Sequence, residues 1–349
     1  MAQREDAVDA PDRRRIAVLV AALVLAVVVA IGALSAGLPQ PAPRALTDTP
    51  EPAADSGRYL DVDVAPSGTV WRTTLGSGCD SCAIVARLDP GTWRWERRGQ
   101  VASSAHGVAT LTMAGNGRDG FVTGQTLFLT HDGGLTWVES TVAEGAAYVF
   151  AELRGDDVFA SVVGEGGGLT LSRTRIGSDE WRTVSLPPLP DSRLYDAPVL
   201  VRDRLAFFAE SRSGESSVLV SPDGGDTWTR EPTPCPGRVQ PSPSWFFLAC
   251  QEGGRVRILR STDAVRWATW RVVTGRSLDP AVVPTSDESL LGRSDGRGVL
   301  VTVDQVTPVD IDPGTVTEAA FGLGGATYVV GQDDLLVSRD QGRTWQPLG

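Results

Sequence analysis

Three segments of this chain align residue for residue without a gap. They are Thr130-x-Asp132-x-Gly134-x-Thr136-Trp137, Ser221-x-Asp223-x-Gly225-x-Thr227-Trp228 and Ser338-x-Asp340-x-Gly342-x-Thr344-Trp345. An octapeptide that returns this way constrains the fold more than any composition figure, because a repeat implies one supersecondary unit laid down again and again. Each shared position has a use in a tight turn. The Asp carboxylate accepts backbone N–H groups, as Asx turns do. Gly supplies a positive φ. The hydroxyls close further local bonds. Trp opens the next strand and buries its ring between neighbouring sheets. None of this requires catalysis, and one carboxylate per turn is far short of the six to eight oxygens that Ca²⁺ takes.

Weaker copies fill the intervals. Ser261-Thr-Asp263-Ala-Val-Arg-Trp267 keeps Ser, Asp and Trp without the Gly. Ser172 to Trp181 keeps Ser, Gly177 and Trp181, and Asp89-Pro-Gly91-Thr92-Trp93 is a compressed form. With Trp as phase marker, Trp93, Trp137, Trp181, Trp228 and Trp270 follow at steps of 44, 44, 47 and 42, and the step of 75 to Trp345 leaves room for one unmarked unit ending near Val306. Residues 59–349 then divide into seven units of about 42 residues, each enough for four short strands. Period-two alternation places the first four at 59–64, 69–74, 83–88 and 92–97, the second at 108–113, 120–124, 126–130 and 136–140, and the last at 316–321, 326–330, 335–338 and 344–348. Gly (39) and Pro (23) are abundant, and no amphipathic helix of usable length follows residue 58. The expected fold is all-β: a seven-bladed propeller of four-stranded blades, with six blades as the alternative. The first unit opens on an inner strand and the last ends on an outer one, so the ring should close without an exchanged strand.

The shared pattern resembles the Asp-box, or bacterial neuraminidase repeat, of sialidase-like β-propellers. Sialidases of that class hold the substrate carboxylate with three Arg and use a Tyr nucleophile paired with a Glu, plus an acid Asp. Their first Arg lies in an F/Y-R-I-P motif, and the nearest piece here, Gly57-Arg58-Tyr59-Leu60, lacks the Ile and Pro. Of the four Tyr, Tyr328 sits late enough to be considered, but in an alternating strand it reads as a core or groove aromatic. The resemblance is confined to the Asp-boxes, which lie away from the sialidase active site, so it implies fold and not activity. It transfers no catalytic, cofactor or metal residue. Sortilin-type receptor domains and photosystem II assembly factors, also Asp-box propellers, bind proteins or peptides.

The chain's address is read from its first 57 residues. Ile16 to Leu38 is a run of 23 residues without a charge, long enough as a helix to cover roughly 34 Å against a hydrocarbon core of about 30 Å. Arg13, Arg14 and Arg15 precede it, which places residues 1–15 in the cytoplasm as a short tail. Ala33-Leu34-Ser35 offers a signal-peptidase pattern, but the run exceeds a signal h-region and reads as an uncleaved anchor. Residues 39–57, with five Pro, form a linker, and 58–349 form the extracytoplasmic propeller. The net charge is −11, which argues against nucleic acid as a partner and against lying flat on an anionic bilayer.

Outside the membrane, four Cys suggest disulfides. Cys235 and Cys250 flank a Pro-rich stretch and should bridge; Cys79 and Cys82 should close a small ring in a Gly-rich loop. A redox Cys-x-x-Cys needs a helix N-terminus, and none is expected there. His106 and His131 read as solvated loop residues. The expected function is a membrane-anchored protein-binding or scaffolding module of a bacterial envelope, using the face opposite the Asp-boxes. The alternative is a diverged sialidase-like glycoside hydrolase or a carbohydrate-binding module, with a glycan as partner.

Overall fold

The computed structural model describes residues 59–348, apart from 77–81, 90–91, 103–109, 165–167, 188–191, 195–198, 202–203, 212–214, 238, 275–277, 279–281, 312–315, 317, 323–324 and 332–333. The tail, anchor and linker expected over residues 1–57 lie outside the described residues, as do Cys79 and His106. Among the described residues no helix is long and apolar enough to cross a membrane.

Seven antiparallel sheets follow one another along the chain, each built from consecutive strands. The first blade comprises Tyr59–Val64, Val70–Leu75, Cys82–Asp89 and Arg94–Ala102. The second comprises Thr110–Met113, Gly120–Thr123, Leu127–Thr130 and Val138–Glu139. The last comprises Glu318–Phe321, Thr327–Val330, Leu335–Ser338 and Gln346–Pro347. The unmarked sixth unit is present as Val283–Ser286, Ser289–Ser294, Arg297–Thr302 and Val306–Pro308. The fourth blade departs from the plan: its inner strand is split into Ser192–Leu194 and Val199–Val201, both paired with Arg204–Ser211.

Inner strands of successive blades lie side by side around the ring, and that of the first blade meets that of the seventh. Every sheet keeps its own consecutive strands, so no strand is exchanged at the closure. The closing seam is apolar instead. Val62, Val70, Leu88 and Trp95 of the first blade interlock with Val330, Leu335, Val337 and Leu348 of the seventh. Each such side chain contributes about 1.5–3 kcal/mol on full burial. Comparable clusters fill other seams: Trp71, Val85, Leu111 and Val122 join the first and second blades, and Phe247, Ile258, Trp270 and Leu290 the fifth and sixth.

The strand order explains the residue pattern. The second and third strands of a blade are covered on both faces by neighbouring blades. They therefore read as nearly continuous apolar runs, such as Gly120–Thr123, which is buried throughout. Outer strands are wet, and Val138–Glu139 and Gln346–Pro347 are exposed at both positions.

Candidate functional site

All three octapeptides join the third strand of a blade to its fourth, and they build the same turn. In the first, the Thr130 hydroxyl donates to Asp132 Oδ1 (3.0 Å) and accepts from the Gly134 N–H (2.9 Å). Asp132 accepts the Thr136 N–H on Oδ1 (2.9 Å) and the Thr136 hydroxyl on Oδ2 (2.6 Å). The Trp137 indole N–H returns to the Gly134 carbonyl at 2.9 Å. Ser221, Asp223, Gly225, Thr227 and Trp228 repeat this set, and so do Ser338, Asp340, Gly342, Thr344 and Trp345. These bonds favour the ionised carboxylate. The Thr136 hydroxyl and amide hold the Asp132 carboxyl down at about 2, and Thr227 does the same to Asp223, also about 2. At Asp340 burial pushes upward, but the Thr344 hydroxyl and amide outweigh it and the net shift is down.

Each turn leans on the preceding blade. The Gly134 α-carbon faces Arg98 and Trp71 of the first blade, Gly225 faces Val184 of the third, and Gly342 faces Leu300 and Thr285 of the sixth. A Cβ on Gly225 would stand 2.6 Å from Val184 Cγ1, and its φ is +96°, so both space and backbone demand glycine. Trp137 and Trp228 likewise pack into the seam behind them.

Three weaker copies differ from their sequence reading. In the fifth blade Ala264 takes the place of the missing Gly, with φ +57°, and Arg266 replaces Thr, giving its amide and Nε to Asp263 (2.8 and 2.7 Å). The marker there is Trp267, whose indole N–H bonds the Ala264 carbonyl at 3.1 Å; Trp270 is an ordinary core residue. In the third blade the turn hydroxyl belongs to Thr174, not Ser172, and donates to the Glu180 carbonyl at 2.7 Å. The clue was length: Thr174 to Trp181 is again eight residues. In the first blade Trp93 lies in the turn, 38% exposed, and Trp95 is the buried indole.

The residues considered for catalysis are not gathered. Tyr328 is buried in the closing seam, and burial pushes its phenol up, with Arg339 opposing, which is the reverse of an activated nucleophile. Cys235 and Cys250 are bridged, with Cα atoms 5.7 Å apart. Cys82 is also disulfide-bonded. His131 is not merely solvated, because carboxylates from two blades approach its ring. Among the described residues no cluster of three His, Cys, Asp or Glu has the spacing for a metal ion.

Two carboxylates missed by the sequence reading line the inner ring. Asp61 and Asp63 share one face of the first inner strand and reach the second. Asp61 accepts the Leu111 N–H (2.5 Å) and Asp63 the Met113 N–H (2.7 Å), capping edge donors that no strand pairs. Desolvation lifts the Asp63 carboxyl to about 7 against the pull of its two backbone bonds.

The face opposite the octapeptide turns is made by loops between the second and third strands and between blades, and many of its residues lie outside those described. Two described features belong to it. Tyr148, near the start of the third inner strand, is 48% exposed. A groove of about 560 Å³ runs along the fourth blade, lined by Glu215, Ser217, Arg230, Glu231 and the stretch Pro232–Pro236. Its wall is locked by the Cys235–Cys250 disulfide, and Arg230 Nε is held by the Ser217 hydroxyl at 3.1 Å.

No family model and no curated protein matches this chain. Solved structures do. YCF48 from Cyanidioschyzon merolae superposes with a TM-score of 0.51 at 16% identity, over 82% of this chain and 96% of that one. A streptogramin B lyase superposes with a TM-score of 0.53 at 14% identity, over 82% of this chain and 94% of that one. A YCF48 bound to a D1 peptide is a looser match, with a TM-score of 0.44 at 20% identity, over 66% and 77%. At these identities the likeness shows a propeller and nothing of its activity.

Proposed function

We propose that this chain is a protein- or peptide-binding propeller, held at the outer side of a bacterial membrane by an uncleaved anchor over residues 16–38 and a linker over 39–57. In this reading its octapeptide turns are Asp-boxes that hold the blades together, and binding takes place on the opposite face. The observation that carries the reading is the groove on the fourth blade. It begins where the third strand Ser216–Ser221 starts, at the end of the blade away from the Ser221–Trp228 turn. Three prolines and a disulfide stiffen one wall, so a ligand orders little on docking. Ser217, Arg230 and the two Glu line the groove with hydrogen-bonding groups. The apolar run at 16–38 and the absence of charge within it support the anchor.

The test is a photo-crosslinking amino acid placed at Glu231, in the full-length protein in its native membrane, with Asp304 on an outer turn of the sixth blade as the control position. The reading expects one envelope protein captured from Glu231 and not from Asp304. Equal capture from both positions, or none from Glu231, contradicts it.

A further inference from the structure

His131 holds the second position of the first octapeptide turn, where the other copies carry Pro222, Thr262 and Arg339. Its Nδ1 lies 2.8 Å from Asp119 of its own blade, and its Nε2 lies 3.5 Å from Asp179 of the next. Asp119 is held for this contact: the Asn116 side-chain N–H donates to it (2.6 Å), and Asn116 Oδ1 accepts its backbone N–H (3.0 Å). Arg118 donates to the His131 carbonyl at 3.4 Å and not to the ring. The neighbouring Asp132 carboxylate is turned away to Thr136. Arg175 and Glu180, near Asp179 in sequence, are exposed. Two carboxylates from two blades therefore face the two ring nitrogens.

A neutral imidazole has one N–H. With that proton directed at Asp119, Nε2 presents a lone pair to the Asp179 carboxylate, and only the imidazolium donates to both. We propose that His131 is a pH-sensitive clasp between the second and third blades, closed when its ring is protonated and released when it is neutral. Partial burial works against the charged ring, but the bonds to Asp119 and Asp179 outweigh it, so the imidazole holds its proton above its ordinary value. The sign follows: the contribution is fully present below about 6.5 and is lost as pH rises through the raised value. Leu135 of this turn and Val138 just after it are 58% and 63% exposed, so releasing the clasp loosens an exposed apolar stretch.

The chain has two His, so imidazole proton resonances of the full-length protein are assigned with one variant, His131→Gln. His131 is expected to titrate above about 6.5, and Asp179→Asn is expected to lower it while leaving His106 in place. The decisive readout is amide exchange across 130–137 and 177–180, corrected for intrinsic rates. Protection should be about twofold to fivefold higher near pH 5.5 than near pH 8.5, the range expected of an exposed ion pair, and this difference should shrink in Asp179→Asn, most of all across 177–180. Titration of His131 at or below its ordinary value, or an equal pH effect with and without Asp179, overturns the clasp.

Discussion

The indole N–H of Trp95 donates to the carbonyl of Leu348 across 3.2 Å, joining residues 253 positions apart. The ring lies within the apolar seam between the first and seventh blades, and the Arg72 guanidinium stacks 4.1 Å from its centroid. This seam, with no exchanged strand to help it, closes the propeller. Trp95→Ala should cost about 3–5 kcal/mol, and Trp95→Phe at least the roughly 1 kcal/mol of the lost bond. Trp181 is the control: its buried indole N–H has no partner among the described residues, so Trp181→Phe should cost less. Urea unfolding midpoints of the three variants check the order.

Two glycines separate backbone strain from crowding. Gly145 has φ +72° and open space around it, whereas Gly225 has φ +96° and Val184 at 2.6 Å from any added Cβ. Gly145→Ala should cost about 1–2 kcal/mol from the left-handed backbone alone. Gly225→Ala should add about 1–3 kcal/mol of overpacking. Thermal unfolding that ranks the two equally would remove the claim that the turns press on the preceding blade.

The third octapeptide carries a correctable fault. Gln341 has φ +63° where the first two copies place Gly133 and Gly224 at +75° and +74°. Among the described residues only its carbonyl is engaged, by Ser289 and Thr285, and glycine keeps that group. Gln341→Gly should stabilise by about 1 kcal/mol, read as a higher urea midpoint.

Stability should fall on two sides of a pH maximum, for opposite reasons. Asp132 and Asp223 have folded values lowered to about 2, so their contribution is present above the ordinary carboxylate value and is lost as pH falls through about 2. Asp63 has a folded value raised to about 7; its contribution is present below the ordinary carboxylate value and is lost as pH rises through about 7. Asp63→Asn should flatten the upper limb and leave the acid limb. Unfolding midpoints of wild type and variant, measured from about pH 3 to about pH 8, check this.

The blade count and the strands of the first, second and last blades were legible because each blade repeats a local rule: alternation, then a turn with Asp, Gly and Trp. Even the sixth blade, which has no Trp marker, was placed by the interval before Trp345. Errors arose where the marker drifted within one turn, at Trp93 for Trp95, at Trp270 for Trp267 and at Ser172 for Thr174. In each case the true residue is identified by the bond it makes: Trp267 and Thr174 bond within their own turns, and Trp95 bonds Leu348 of the seventh blade. The Asp61–Leu111 and His131–Asp179 links were not legible at all. They join residues from separate blades, and no spacing along the chain encodes which loops come to lie side by side. The groove on the fourth blade lies within one hairpin, but the sequence reading saw there only a disulfide beside a Pro-rich stretch.

The central claim is that residues 58–349 bind a protein on the outer side of the membrane. It is tested most directly by in-membrane crosslinking of the full-length protein in its native host, with capture and mass identification, beside a variant that keeps residues 1–57 and lacks the propeller. The account predicts one envelope protein recovered in near-stoichiometric amount with the full-length chain and lost with the deletion. Recovery of no protein, or of the same protein from the anchor alone, would contradict it.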